Sequence, residues 1–184
     1  MKRSLRDDLE TILLTEAQIQ QRLDELAREL ERDYAGRELT LVAVLTGSML
    51  FIADLLRRLP MPLRVDCIGV ASYHGRTRAP GDLVTTKALQ LDVRDRDVLV
   101  VDDILDTGRT LARVGEIIGP LQPRGLKFCV FLEKATPHPR SIRADYVGFR
   151  IPDRFVVGYG LDFRERYRNL PCVGTLKSHV IGDG

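Results

Sequence analysis

Apolar residues along the chain follow two rhythms, and the switch between them marks out the elements. Ile19, Leu23, Leu26 and Leu30 recur at spacings of three and four, the period of a helix with one buried face. Thr15-Glu16-Ala17-Gln18 stands before them as a capping box, with Leu14 and Ile19 placed as a hydrophobic staple. Tyr34-Ala35-Gly36 ends the pattern. LTLVAVL, over 39–45, is a β-rich apolar run of strand length that stops at Thr46-Gly47-Ser48. Helical spacing then resumes through Phe51, Ile52, Leu55, Leu56 and Leu59, before Pro60 and Pro62. LRVDCIGVASY (63–73) predicts a second strand, and VLVV (98–101) a third, with a helix over 110–118 behind it. GLKFCVFLEKA (125–135) predicts a fourth.

VLVV and LVAVL do not alternate apolar with polar residues, so both of their faces are covered, as in a parallel sheet between helices. Strands alternating with helices predict an α/β, doubly wound fold with a mainly parallel central sheet. Ligands of such folds bind outside the carboxyl ends of the strands, where Thr46-Gly47-Ser48 and residues 102–110 both lie. YHGRTRAPGD (73–82) has two glycines, a proline, two arginines and no large aliphatic residue. A polar segment of that size in a small domain predicts a mobile lid.

Composition narrows the class without naming a chemistry. A length of 184 residues fits one domain. Its 28 basic and 26 acidic residues give a net charge of +2, which predicts no coat of nucleic acid. Cys67, Cys129 and Cys172 are odd in number and widely spaced, so they suit neither a disulfide framework nor a zinc site and point to a reducing compartment. Cys67 and Cys129 sit in apolar runs and are expected to be buried. The first residues, MKRSLRDDLE, do not form a secretory signal, and no apolar stretch nears the roughly 20 residues of a membrane span. A cytoplasmic protein is expected.

The chemistry concentrates in VLVVDDILDTGRTL (98–111), where a buried strand runs into Asp102, Asp103 and then Asp106. DDILD also matches a DDxxD metal motif, but that motif needs long helices lining a cavity, and here it follows a strand. A strand, a Thr-Gly turn and a helix start present free N–H groups and a positive dipole end to a phosphate, with the hydroxyls of Thr107 and Thr110 beside them. There is no Walker spacing of Gly-Lys-Ser/Thr, so a monophosphate fits better than a triphosphate. Asp102 and Asp103 can accept from paired sugar hydroxyls or hold Mg²⁺. Together these features describe a phosphorylated ribose.

Residues 102–111 of this stretch resemble the phosphoribosyl-pyrophosphate signature of the type I phosphoribosyltransferases. VAVLTGSMLFIADLL, ASYHG, FLEKATP, ADYVGFRIPDRFVVGYGLDFRERYRNLP and VGTLKSHVI are similar, in order, to the hypoxanthine-guanine members of that family, and IPDRFVVGYGLDF points to the 6-oxopurine branch. The resemblance covers residues 13–181. It implies a hood formed by the chain termini, Mg²⁺ as cofactor, phosphoribosyl pyrophosphate and a 6-oxopurine as substrates, and a homodimer or homotetramer. Asp102 and Asp103 would bind the ribose hydroxyls, and Asp106 would exchange a proton with the five-membered ring of the purine. Thr107, Gly108, Arg109 and Thr110 would hold the 5′-phosphate. Lys134 would donate to the six-oxo group, Phe155 would stack on the base, and the Val156 backbone would read its edge. Asp162 would hold a second Mg²⁺ beside the purine, and Arg168 would contact pyrophosphate. Leu45-Thr46-Gly47 matches the pyrophosphate loop, which in this family contains a non-proline cis peptide. Ser72 and Tyr73 would lead the lid. Thr46 stands where many relatives carry a basic residue, which leaves pyrophosphate to backbone N–H groups, Arg168 and metal.

Taken singly, Lys134 reads as a solvated strand-end lysine, Phe155 as core, Asp162 as a turn cap and Arg168 as a surface charge. The ordered set outweighs those readings. The expected activity is transfer of phosphoribose to hypoxanthine or guanine, giving IMP or GMP. The alternatives are a preference for xanthine, or a non-catalytic regulator that binds nucleotide or RNA on the same fold. A regulator would show a concentrated basic face, whereas VRDRDV and DFRERYRN interleave the two signs of charge.

Overall fold

A computed structural model describes residues 4–72, 83–135 and 142–182. In chain order the elements are β1 (Leu9–Leu14), α1 (Glu16–Asp33), β2 (Leu39–Leu45), α2 (Met49–Leu56), β3 (Leu63–Ser72) and β4 (Leu83–Lys87). They continue with β5 (Asp97–Leu105), α3 (Arg109–Ile118), β6 (Gly125–Lys134), β7 (Tyr146–Ile151), β8 (Val173–Leu176) and α4 (Ser178–Gly182). The central sheet has the order β4-β3-β2-β5-β6-β7, parallel throughout except for β4, which runs antiparallel to β3 at the edge.

Strand alternation sends side chains to two separate cores. Leu39, Leu41 and Ala43 of β2 join Leu99 and Val101 of β5 and Phe131 of β6 against α1 and α2. Val42, Val44, Val98, Val100 and Val130 point the other way, onto Leu111, Val114 and Ile118 of α3. The unbroken apolar runs are therefore buried on both faces. The capping box forms: the Thr15 N–H donates to Gln18 Oε1 at 2.9 Å, and the Gln18 N–H donates to Thr15 Oγ1 at 3.4 Å. Thr15→Ala is expected to remove about 1 kcal/mol of stability, which thermal unfolding should register as a Tm lower by about 2–4 °C.

Pairing between β2 and β5 ends at Ala43 opposite Val101, while β5 stays paired to β6 as far as Leu105 opposite Glu133. The sequence ends this strand at Val101; in the structure it runs four residues further, because β6 continues to pair its backbone. Asp102 and Asp103 thus lie inside a strand that has lost one neighbour. The chain leaves β2 through α2 toward β3 on one side and leaves β5 through α3 toward β6 on the other, so a crevice opens at the switch point of the sheet.

Apart from this sheet, β1 and β8 pair antiparallel as a two-stranded hood. Leu9, Val157, Tyr167, Leu170, Cys172 and Leu176 form its own core. The Tyr167 hydroxyl donates to buried Asp8 at 2.9 Å. All three thiols are free; Cys129 and Cys172 are buried, but Cys67, expected in the core, is only half-buried near the open edge of the sheet. Among the described residues no helix is long and apolar enough to cross a membrane.

Candidate functional site

The crevice between β2 and β5 holds a cavity of about 290 Å³, lined among others by Gly47, Asp102, Asp103, Asp106, Thr107, Gly108, Thr110, Asp162 and Arg168. On the β2 side the Leu45–Thr46 peptide is cis and Thr46 is exposed. Gly47 follows with no room for a side chain: a Cβ there would lie 1.6 Å from Asp103 Oδ2. On the β5 side Asp102 is buried and Asp103 half-buried, and the Asp103 N–H donates to Asp102 Oδ1 at 2.9 Å. Burial, then the neighbouring Asp103 carboxylate, pushes Asp102 well above the usual carboxylate range. Burial also raises Asp103, against the opposing pull of its hydrogen bonds and of Arg168.

Behind β5 the backbone turns at Gly108, whose φ of 76° leads directly into α3. That positive φ suits glycine. Arg109 is the first residue of α3, one earlier than the sequence predicts, so Thr107, Gly108, Arg109 and Thr110 all stand at its positive end.

Lys134, the last residue of β6, reaches Asp106 Oδ2 at 2.8 Å and Asp153 Oδ1 at 3.2 Å. Burial opposes its charge, but the two carboxylates outweigh that and hold the ammonium above the ordinary lysine range. Asp153 is not among the residues the sequence singles out. Two positions on, Phe155 is 53% exposed, its ring edge-to-face with Phe163 at 5.8 Å, while Val156 is buried. The exposed ring excludes the core reading of Phe155.

Arg168 donates to the Gly160 carbonyl at 2.8 Å and to Glu165 Oε2 at 3.2 Å, and forms an ion pair with Asp162 Oδ1 at 2.8 Å. Asp162 also accepts from the Glu165 N–H at 3.0 Å. Gly160 touches the other wall of the crevice, since a Cβ on it would come within 2.0 Å of the Gly47 carbonyl oxygen. Gly160 and Glu165 escape the sequence reading because nothing in their local pattern shows what they meet in space. Among the described residues no three His, Cys, Asp or Glu side chains gather closely enough to form a metal cluster. Ser72 closes β3, whereas Tyr73 and the lid expected over 73–82 lie outside the described residues. A larger cavity, about 560 Å³, sits against the hood beside Phe163, Arg166 and His179 and contains none of the predicted site residues.

Residues 11–164 match the model of the phosphoribosyl transferase domain. The chain is 43% identical over 179 residues to a hypoxanthine-guanine phosphoribosyltransferase of Staphylococcus aureus, covering 97% of this chain and all of the relative. A crystal structure of a hypoxanthine phosphoribosyltransferase from Staphylococcus aureus superposes with a TM-score of 0.90 at 43% identity, covering 98% of each chain. A hypoxanthine-guanine phosphoribosyltransferase from Bacillus anthracis superposes with a TM-score of 0.84 at 37% identity, over 92% of this chain and 98% of that one.

Proposed function

The chain belongs to the phosphoribosyltransferases, in their hypoxanthine-guanine branch, and we propose how its crevice performs that reaction. It is a purine salvage enzyme: it moves 5-phosphoribose from phosphoribosyl pyrophosphate to hypoxanthine or guanine and releases pyrophosphate. The observation that carries the residue roles is that one crevice is lined by a phosphate-binding turn, the acid pair Asp102 and Asp103, and Asp106, which is paired to Lys134.

The N–H groups of Thr107, Gly108, Arg109 and Thr110 hold the 5′-phosphate at the start of α3. Asp102 and Asp103 accept the ribose hydroxyls. Thr46, Gly47 and Arg168 receive the pyrophosphate. The base lies on Phe155, its edge read by the Val156 backbone and its six-oxo group by Lys134. An ammonium facing a six-amino group would leave donors opposed, which excludes adenine. As the purine nitrogen attacks the anomeric carbon and the C–O bond to pyrophosphate breaks, positive charge grows on the ribose. Carboxylates in a closed crevice stabilise it. Asp106 takes the proton that the purine loses.

Mg²⁺ fits this donor set. Two adjacent carboxylates are both raised by burial, with hydrogen bonds and the Arg168 cation pulling Asp103 the other way, and Asp162 lines the same cavity. Asp102 and Asp103 would hold one ion and Asp162 a second, and the charge they bring would neutralise the leaving pyrophosphate. The same reading places the enzyme in the cytoplasm as a homodimer or homotetramer. Exposed Met49 and Leu50 at the start of α2 offer apolar surface for assembly.

The test is an end-point assay. Purified protein, Mg²⁺ and phosphoribosyl pyrophosphate are incubated separately with hypoxanthine, guanine, xanthine or adenine, and nucleotides are resolved by chromatography. IMP and GMP without AMP are expected. The xanthine lane measures the alternative preference, and absence of nucleotide from every base overturns the proposal.

A further inference from the structure

One ammonium joins three separate parts of the chain. Lys134 ends β6, Asp106 belongs to the turn behind β5, and Asp153 lies in the segment that leaves β7 and carries Phe155. The Lys134 side chain is only 11% exposed, whereas that of Asp153 is 62% exposed. A lysine ammonium has three N–H donors and no acceptor. Asp106 accepts one of them at 2.8 Å and Asp153 is ion-paired to the same ammonium at 3.2 Å, so the two carboxylates restrict where the remaining donors can point.

Resting on the base-site reading above, we propose that Asp153 is a positioning residue that sets base specificity, by fixing Lys134 so that a remaining N–H meets a six-oxo group. With Asp106 alone, the long lysine stem could pivot about one contact, and its donors would lose a fixed direction. With both carboxylates in place, rotation about the last bond of the side chain is restrained from two sides. Asp153 also ties this donor to the Phe155 platform, only two residues away, so the distance between the stacking surface and the six-position is set by one ion pair. Asp153 touches no substrate in this arrangement and acts through Lys134. It is legible only in three dimensions, because an exposed aspartate after Pro152 looks like an ordinary turn residue.

The experiment is calorimetric binding of two nucleotides to the full chain. One is IMP; the other is purine riboside 5′-monophosphate, which lacks the six-oxo group. Asp153→Ala is expected to weaken IMP about tenfold, the value of one hydrogen bond to a charged group, and to leave the analogue within about twofold. Asp153→Glu, which keeps the charge, should restore most of the IMP affinity. In turnover, the KM for hypoxanthine should rise about tenfold with kcat within about threefold, the signature of lost uniform binding. The exposure of Asp153 means that the variant folds, and its Tm should stay within about 3 °C of the parent. Equal weakening of both nucleotides, or no weakening of IMP, overturns the inference. A wild-type chain that forms IMP while Asp153→Ala keeps the IMP-to-analogue ratio overturns it alone. A wild-type chain that binds neither nucleotide and forms none overturns the underlying reading of the site as well.

Discussion

Asp106→Asn is expected to lower turnover by about 10²–10⁴-fold, the range of a lost general acid or base. When the purine nitrogen bonds to the anomeric carbon, its ring must shed a proton, and the acceptor has to lie at the base end of the crevice. Asp106 lines the cavity and stands at the junction of the phosphate-binding turn and Lys134. Asparagine keeps the shape and still offers an oxygen to the Lys134 ammonium, but it cannot take the proton. The loss should therefore fall on kcat, with the KM for hypoxanthine and the affinity for GMP close to those of the parent. Steady-state kinetics and GMP titration on the same preparation separate the two quantities. A change below about threefold in kcat, with the protein folded, would assign the proton transfer elsewhere.

The legible parts of the fold are those whose sequence pattern is set by local burial. The strands buried on both faces, over 39–45 and 98–101, announce themselves because every residue must be apolar. Helix α1 does so because Ile19, Leu23, Leu26 and Leu30 repeat on one face. Four strands give no such signal. β1 carries exposed Glu10, Thr11 and Ile12 and runs straight into the α1 cap, with no Gly or Pro between them. β4 is an edge strand with Thr85 and Thr86 exposed. β7 is buried only at its ends, Tyr146 and Ile151, with half-buried residues and exposed Arg150 between them, and β8 is only four residues long. β8 also pairs with β1 from the opposite end of the chain, as in Leu9 opposite Leu176, a contact that no local window contains. The site divides in the same way. The 102–110 stretch is contiguous and its chemistry is written in one line of sequence. Lys134, Phe155, Asp162 and Arg168 are ordinary residues singly, and only the family resemblance orders them. Asp153 and Gly160 matter through residues distant in sequence, Lys134 and Gly47, and Glu165 through the turn that brings it onto Asp162 and Arg168.

Gly160 is where packing brings the two walls of the crevice together, and Gly160→Ala is expected to be strongly damaging. Its φ is 99°, a backbone conformation that residues with a Cβ rarely adopt. The added Cβ would also lie 2.0 Å from the Gly47 carbonyl oxygen and 3.2 Å from the Gly47 carbonyl carbon. Both are backbone atoms, so no side chain can swing aside. Relief has to come from moving one wall of the crevice away from the other. Gly47 cannot retreat toward β5, because its own Cα already faces Asp103 Oδ2 without space for a methyl. The 155–168 segment must move instead. It carries Phe155, Asp162 and Arg168, and the Gly160 carbonyl is itself a partner of Arg168. Backbone strain of about 1–3 kcal/mol should lower the Tm by about 2–10 °C. A shift of the pyrophosphate and base contacts by about 1 Å should reduce kcat/KM about 10²-fold. Gly119→Ala is the control: Gly119 has helical φ and ψ of −53° and −46°, with nothing within 4 Å of the new methyl, and its stability should change by no more than about 1 kcal/mol, in the favourable direction. If Gly160→Ala retains kcat/KM within a factor of about three while melting like Gly119→Ala, the hood does not clamp the crevice, and the placement of Arg168 does not depend on that contact.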